Sequence, residues 1–524
     1  MGSVRHIRIT LALVVALSTM SALAESVINR GIFGEPESLD PARSALPAEI
    51  AILNDLFVGL TSYDPNGKVA AGLAESWQVS EDGLTWRFKL RPGLRWSDGE
   101  PLTAEDFVYS FRRAVTPATA APMADRLLML GNAQAILNGQ AEPATLGVSA
   151  PSPDEVLMEL DHPAPTLPTL LLNGIGFPTP RHAIERWGAQ WTQPGRMAGS
   201  GAYVLTERRP GERIRLTKNP YFYEADKVRI DTVIYVVSDD VDTQVNRFRA
   251  GELDINRNPG FPPNRKAFLE DKLGSAVRVT PYPLLVFLRF NFRRQPFDNL
   301  DVRRALALAI DRDKIAKLVL KNGEQPAYNL VPPMISNYEP ADSPLNEGTV
   351  ASRLATARQL MAAAGYSKAQ PLTLNLRFTT GWARQTCIAV AAMWREIGVQ
   401  VILHNSEARA AFVDVRNGDF DVAYGGALHE DPEQFLDNFR ADGDYNTGAY
   451  ENEAFTAALD AARLEPDAEL RYQRLREAES IALADFPVVP IVYSVSRSLV
   501  APNVHGWHPN PMDIHLTRDL WLAD

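Results

Sequence analysis

Cysteine is almost missing: Cys387 is the only one in 524 residues. That excludes an intrachain disulfide and a cysteine-built zinc cluster, so stability must come from packing. Basic blocks are missing too. Lys and Arg number 53 against 64 Asp and Glu, a net charge of −11. Such a chain repels nucleic acid and anionic lipid, and no nucleic-acid partner is expected. Past the first two dozen residues, no apolar run reaches the roughly 20 residues that a membrane-spanning helix needs. Catalytic motifs are as scarce. There is no His-Glu-x-x-His, no Gly-x-Ser-x-Gly (Ser200 sits in "MAGSGAY") and no phosphate-binding Gly-x-x-x-x-Gly-Lys loop. Cys387 falls on the apolar face of a predicted helix and reads as an inert thiol. His505, His508 and His515 crowd into "VHGWHPNPMDIH" without a cysteine or a helical register. No metal, no cofactor and no enzymatic activity are expected.

What is present begins with "MGSVRHIRITLALVVALSTMSALAESV". Arg5 and Arg8 precede a short apolar run, and Ala22-Leu23-Ala24 is a small-residue cleavage pattern. Residues 1–24 read as a removed signal peptide. No cysteine follows, so no lipid anchor is expected. The mature chain then carries a net charge of −13 and is long enough for about three domains.

"LTWRFKLRPGLRWSDGEPLTAEDF" (84–107) reads as strand, turn and helix start. Leu84, Trp86, Phe88 and Leu90 alternate with polar residues, and Thr103–Asp106 resembles a capping box. "SGAYVLTERRPGERIRLTKNPYFY" (200–223) predicts a hairpin turning at Pro210-Gly211, 227–238 a strand, Val241 to Arg249 a helix, and 300–320 one long helix. From 371 to 426, strand, helix, strand, helix and strand follow in turn, which predicts a parallel α/β unit. Ligands bind outside the carboxyl ends of such strands. Here those ends are Thr379–Arg384, His404–Glu407 and Tyr424–Glu430. Gly425-Gly426 leaves main-chain groups bare for an extended ligand to join as an added strand. Arg384 opens a helix, a position that favours an anion. Ordinary loop glycines and a solvated arginine fit the same pattern.

"AESWQVSEDGLTWRFKLRPGLRWSDGEPLTAEDFVYSFRRAV" (74–115) resembles the signature segment of the periplasmic oligopeptide-binding proteins. These are family 5 solute-binding subunits (peptide, nickel and opine type) of ABC importers. "SLDPARS", "WTQPGRMAGSGAYVL", "FDNLDVRRALALAIDRDKI", "FDVA" and "FPVVPIVYSVSRSLV" extend the likeness in order along the chain. The resemblance implies an α/β, two-lobed periplasmic binding protein fold of type II, large cluster, with an extra accessory domain. It implies domain I at 25–57, 183–280 and 496–524, accessory domain II at 58–182, and domain III at 281–495, with crossings near 280 and 495. The opening stretch is then scaffold of the accessory domain.

The resemblance also implies a ligand held mostly by its main chain. The ligand-facing positions it carries over are Ser44, Ala45, Leu46 and Pro47 from domain I, and Tyr424, Gly425, Gly426, Ala427 and Leu428 from domain III. Trp382 and Tyr493 join that set. The specific anchors depart from the family. Leu428 or His429 stands where an aspartate grips the amino end, with Glu430 or Asp431 as substitutes. Ala45 replaces an acid and Met123 an aromatic wall residue. At the carboxyl end, Ala307 replaces a lysine, Arg384 a histidine and Tyr424 an arginine, while Arg416 retains another. The implied function is the periplasmic, monomeric binding component of an ABC importer, delivering a peptide or peptide-like ligand to permease subunits in the inner membrane. Opine-like compounds, muropeptides, a sensory or chaperone-like role and a secreted hydrolase are the alternatives.

Overall fold

Strands rich in Val, Ile, Leu and Tyr alternate inward and outward along most of the chain, and they build one large sheet. The computed structural model describes residues 25–523 apart from 258, 380–382 and 444. The sheet's strands are β1 Val27–Phe33, β2 Tyr203–Arg209, β3 Arg213–Lys218, β4 Thr232–Ser238 and β5 Ile255–Arg257 in the first half. They continue with β6 Val277–Phe290, β7 Leu372–Thr379, β8 Val399–Ser406, β9 Val422–Leu428 and β10 Val488–Val500. The spatial order is β8-β7-β9-β6-β10-β5-β1-β4-β3-β2, with short Gln325–Pro326 beside β10.

β6 and β10 run through the middle and pair antiparallel in two blocks. Residues 277–281 face 495–499, and residues 285–289 face 488–493, with a register shift between Pro281 and Leu285. The buried apolar residues divide at the same place. One core draws on residues 28–237 with Ile255, Val500, Val504 and Leu520. Two others draw only on residues 285–493. Two lobes therefore share one ribbon of two strands.

In the first lobe, β1 pairs in parallel with β4 along its whole length, and helix α1 (Pro47–Leu56) packs beneath. The 84–107 stretch lies in a separate four-stranded antiparallel sheet made by Ala74–Val79, Thr85–Leu90, Glu155–Glu159 and Val148–Ser152. Helix α2 (Ala104–Val115) covers it. Trp86 and Trp96 are both core residues. Half of the capping box forms: Asp106 Oδ2 accepts from the Thr103 amide at 2.8 Å. Arg113 of α2 forks onto Asp40, with Nη1 2.9 Å from Oδ1, and anchors this sheet to the first lobe.

In the second lobe, β7 pairs in parallel with β8 and β9, joined by helices α3 (Ala383–Arg395) and α4 (Ala408–Arg416). This is the predicted α/β unit. The hairpin of β2 and β3 and the helix Val241–Arg249 also match expectation. Two elements differ. The strand predicted over 227–238 starts at Thr232, after a single turn at Ala225–Lys227. The helix predicted over 300–320 stops at Leu308 and resumes after Asp311. Arg312 causes the break. It is fully buried and donates to the carbonyls of Ala307, Ile310 and Pro490, so the chain must turn to bring them together. Asp311 then caps the resumed helix by accepting from the Lys314 amide.

Candidate ligand-binding site

At the junction of the two lobes and the smaller sheet lies a cavity of about 260 Å³. Whole ligand pockets run to roughly 300–1,000 Å³, so it has room for one end of an extended molecule. Three stretches of sequence expected at a ligand meet here: Ala45 and Pro47, Met123, and Leu428 to Glu430.

Glu49, buried in the first turn of α1, shapes the 44–47 loop. Its carboxylate accepts from the amides of Ser38, Ala45 and Leu46, each at 2.9 Å. Ala45, Leu46 and Pro47 are left exposed. Ser44 is buried, and its hydroxyl donates to the Asp40 carbonyl at 2.8 Å. Its side chain therefore serves the loop.

Beneath the loop, sequence reasoning missed a buried polar floor. Asp55 of α1 accepts from the hydroxyls of Tyr235 and Thr517 at 2.8 and 2.7 Å, and Arg30 of β1 donates to Thr517 and to the His515 carbonyl. Burial pushes the Asp55 carboxyl up, against the pull of Arg30. Arg257 pairs with Asp513 at 2.9 Å, and His515 Nε2 lies 3.0 Å from the same carboxylate. His515, singled out above in a histidine-rich segment, is part of this floor. Among the described residues no group of three His, Cys, Asp or Glu could hold a metal ion.

The second lobe closes the cavity through the end of β9. Glu430 accepts from the Tyr63 hydroxyl at 3.1 Å. Burial pushes its carboxyl up, and Arg126 opposes that. Asn173 lies beside it, and its side-chain amide also favours the charged carboxylate. His429 Nε2 accepts from Asn438 at 3.0 Å, and burial holds the imidazole down at about 4. Tyr63, Arg126 and Asn173 were not foreseen. Each sits in a loop or short strand whose local pattern marks only a turn, and the fold alone brings them to Glu430.

The remaining expected residues fall elsewhere. Asp431 faces away from the cavity: it caps helix α5 (Pro432–Asp437) and pairs with buried Arg471 at 2.9 Å. Tyr493 is buried where β6 changes register, its hydroxyl donating to the Asn329 carbonyl. Ala427 turns its side chain into the core. Tyr424 is half-buried, and Arg384 and Arg416 are exposed on α3 and α4. Trp382 lies outside the described residues. Gly425 owes its identity to packing as well, since a Cβ there would stand 2.9 Å from the ring of buried Phe287. Ala307, expected in place of a carboxyl-end lysine, is fully buried. Cys387 is buried among apolar side chains, which push its thiol up.

The backbone around the glycines carries the strongest feature. β9 pairs with β6 along residues 422–428, but on its other edge β7 reaches only Val422 and Ala423. From Gly425 to Leu428 that edge has no ladder partner among the described residues. It runs straight to the cavity at Leu428.

Two lobes on a shared pair of strands, with a crevice between them and a bare strand edge leading into it, define a solute-binding protein. The family model for bacterial extracellular solute-binding proteins, family 5, matches residues 68–447, and the chain belongs to that family. Its fold is the two-lobed α/β architecture of the periplasmic binding proteins. The chain is 33% identical over 528 residues to the periplasmic murein peptide-binding protein MppA of Escherichia coli (99% of this chain, 97% of the relative). It is 35% identical to the E. coli periplasmic oligopeptide-binding protein OppA (96% and 94%). Among solved structures, the unliganded open form of MppA superposes with a TM-score of 0.85 at 32% identity (95% and 98%). Haemophilus influenzae OppA in complex with RPPGFSPFR gives 0.77 at the same identity (95% and 99%). No helix among the described residues is long and apolar enough to cross a membrane.

Proposed function

We propose that this chain is the periplasmic, signal-peptide-exported component of an ABC importer that captures oligopeptides or peptide-like compounds between its two lobes and catalyses nothing. The bare edge of β9 from Gly425 to Leu428 carries this reading. A peptide main chain laid against it gains strand hydrogen bonds whatever its side chains are. Glu430 then takes the ligand's ammonium, because Asp431 is committed to Arg471. Arg384 and Arg416, exposed and without an ion pair among the described residues, are placed to meet the carboxyl end. The separate cores and the register shift at 281–285 support domain crossings near 280 and 495. The closed form would be what the permease subunits recognise.

The test is native mass spectrometry of protein taken from its own periplasm, followed by titration calorimetry with trialanine, tetra-alanine and their backbone N-methylated analogues. Co-purified peptide-like cargo, and affinity reduced at least ten-fold by N-methylation, are expected. A protein that retains no such cargo and binds neither parent peptide overturns the reading; cleaved peptides overturn the absence of catalysis.

A further inference from the structure

Glu430 is not alone at the end of the cleft. Arg126, from the turn Ala124–Leu127, lines the same cavity and acts electrostatically on Glu430, His429 and Tyr63. It makes no hydrogen bond and no ion pair among the described residues. Every other arginine of the cavity is engaged: Arg30 with Thr517, and Arg257 with Asp513. Asn173 adds a buried side-chain amide that already favours the charged Glu430 carboxylate. The end of the cavity thus offers one carboxylate and, beside it, a guanidinium with no hydrogen bond or ion pair among the described residues. An ordinary peptide terminus answers only the carboxylate. Its first carbonyl is already in an amide bond and brings no negative charge to Arg126.

On the reading that this cleft binds peptide-like compounds, we propose that it selects ligands whose first residue is a free α-amino acid head. The ammonium goes to Glu430, and the α-carboxylate on the same carbon goes to Arg126. Such heads arise when the first residue is joined to the rest through its side-chain carboxyl, as in γ-glutamyl and β-aspartyl peptides. The cavity volume fits this division, with the head enclosed and the remaining backbone along β9 in the open cleft. Charge-assisted donors to a carboxylate are strong enough to discriminate between isomers.

The probes are γ-Glu-Ala-Ala, with the glutamyl residue in L and in D form, and α-Glu-Ala-Ala. They share composition and net charge and differ only in the position of the linkage. Titration calorimetry on the mature chain should show at least one γ-linked form binding ten-fold or more tighter than the α-linked isomer. Arg126→Gln should erase that preference, and Arg126→Lys should restore part of it. Equal affinity of the isomers, preference for the α-linked form, or a γ preference untouched in Arg126→Gln overturns the proposal while leaving peptide binding standing. Failure of every isomer and of trialanine overturns the functional reading itself.

Discussion

The Tyr63 hydroxyl stands 3.1 Å from the Glu430 carboxylate although 367 residues of chain separate the two. This bond joins the short strand beside the accessory sheet to the end of β9. It closes one end of the cleft.

Removing either partner leaves the other short of a hydrogen bond in a buried site, at about 1–2 kcal/mol. Tyr63→Phe and Glu430→Leu should therefore destabilise the ligand-free protein by less together than the sum of their separate effects. A double-mutant cycle from urea unfolding measures the coupling, and strict additivity would contradict the contact.

Glu430→Gln should weaken binding of a free-amine tripeptide by ten-fold or more, since hydrogen bonds to charged groups contribute roughly 1.5–3 kcal/mol. The same peptide with an acetylated amine should lose far less. Calorimetry on the pair decides it; equal losses would remove Glu430 from the ammonium's site.

Asp431→Asn should act on stability instead. Arg471 and Asp431 are each 4% exposed in their side chains, and removing one partner of a buried pair costs about 3 kcal/mol or more. Glu433, 2.7 Å from Arg471, softens that loss. The expected result is a clear fall in the urea midpoint with peptide affinity retained.

Glu479, on helix α6 (Ala468–Asp485), accepts from the amides of Leu330, Val331 and Ala341 and from the Tyr338 hydroxyl, each at 2.9 Å. A glutamine there turns an NH₂ toward two of these donors. Glu479→Gln should lower stability by about 2–4 kcal/mol, and a change below about 0.5 kcal/mol would refute the role.

The two buried imidazoles should each withdraw stability as the pH falls below neutral. Burial holds His515 and His429 down at about 4, whereas the unfolded chain takes up those protons near 6.5. Between those values the unfolded state binds more protons, so stability falls as pH falls from 6.5 to 4, by up to ~3 kcal/mol for each imidazole. Asp437, pushed up to about 6 by burial, works the other way. Asp55, Glu430 and Glu479, also pushed up by burial, act with Asp437, so the imidazoles set only their own share of the pH dependence. His515→Gln should shrink the difference between urea midpoints at pH 7 and pH 5.

Periodicity made the parallel unit from β7 to β9 legible, because its strands and helices alternate cleanly and its helices end at Gly398 and Gly418 with positive φ. The family likeness pointed to the cleft segments before their geometry was known. Arg126 and Asn173 were invisible, since nothing local distinguishes a half-buried arginine or asparagine in a turn from a solvated one. Arg312 broke a helix that looked continuous because its three carbonyl partners include Pro490, 178 residues away. Asp431 and Glu430 look interchangeable as neighbours in the sequence; only the ion pair with Arg471 tells them apart.

β6 and β10 carry a consequence for mechanics. The ladder slips register between Pro281 and Leu285 and again between Val286 and Phe287, so bending concentrates on a few peptide units, as a crease does in stiff card. Substitutions that straighten this irregular patch should set how far the jaws swing, and hence how quickly cargo enters and leaves, without touching a single atom that meets it.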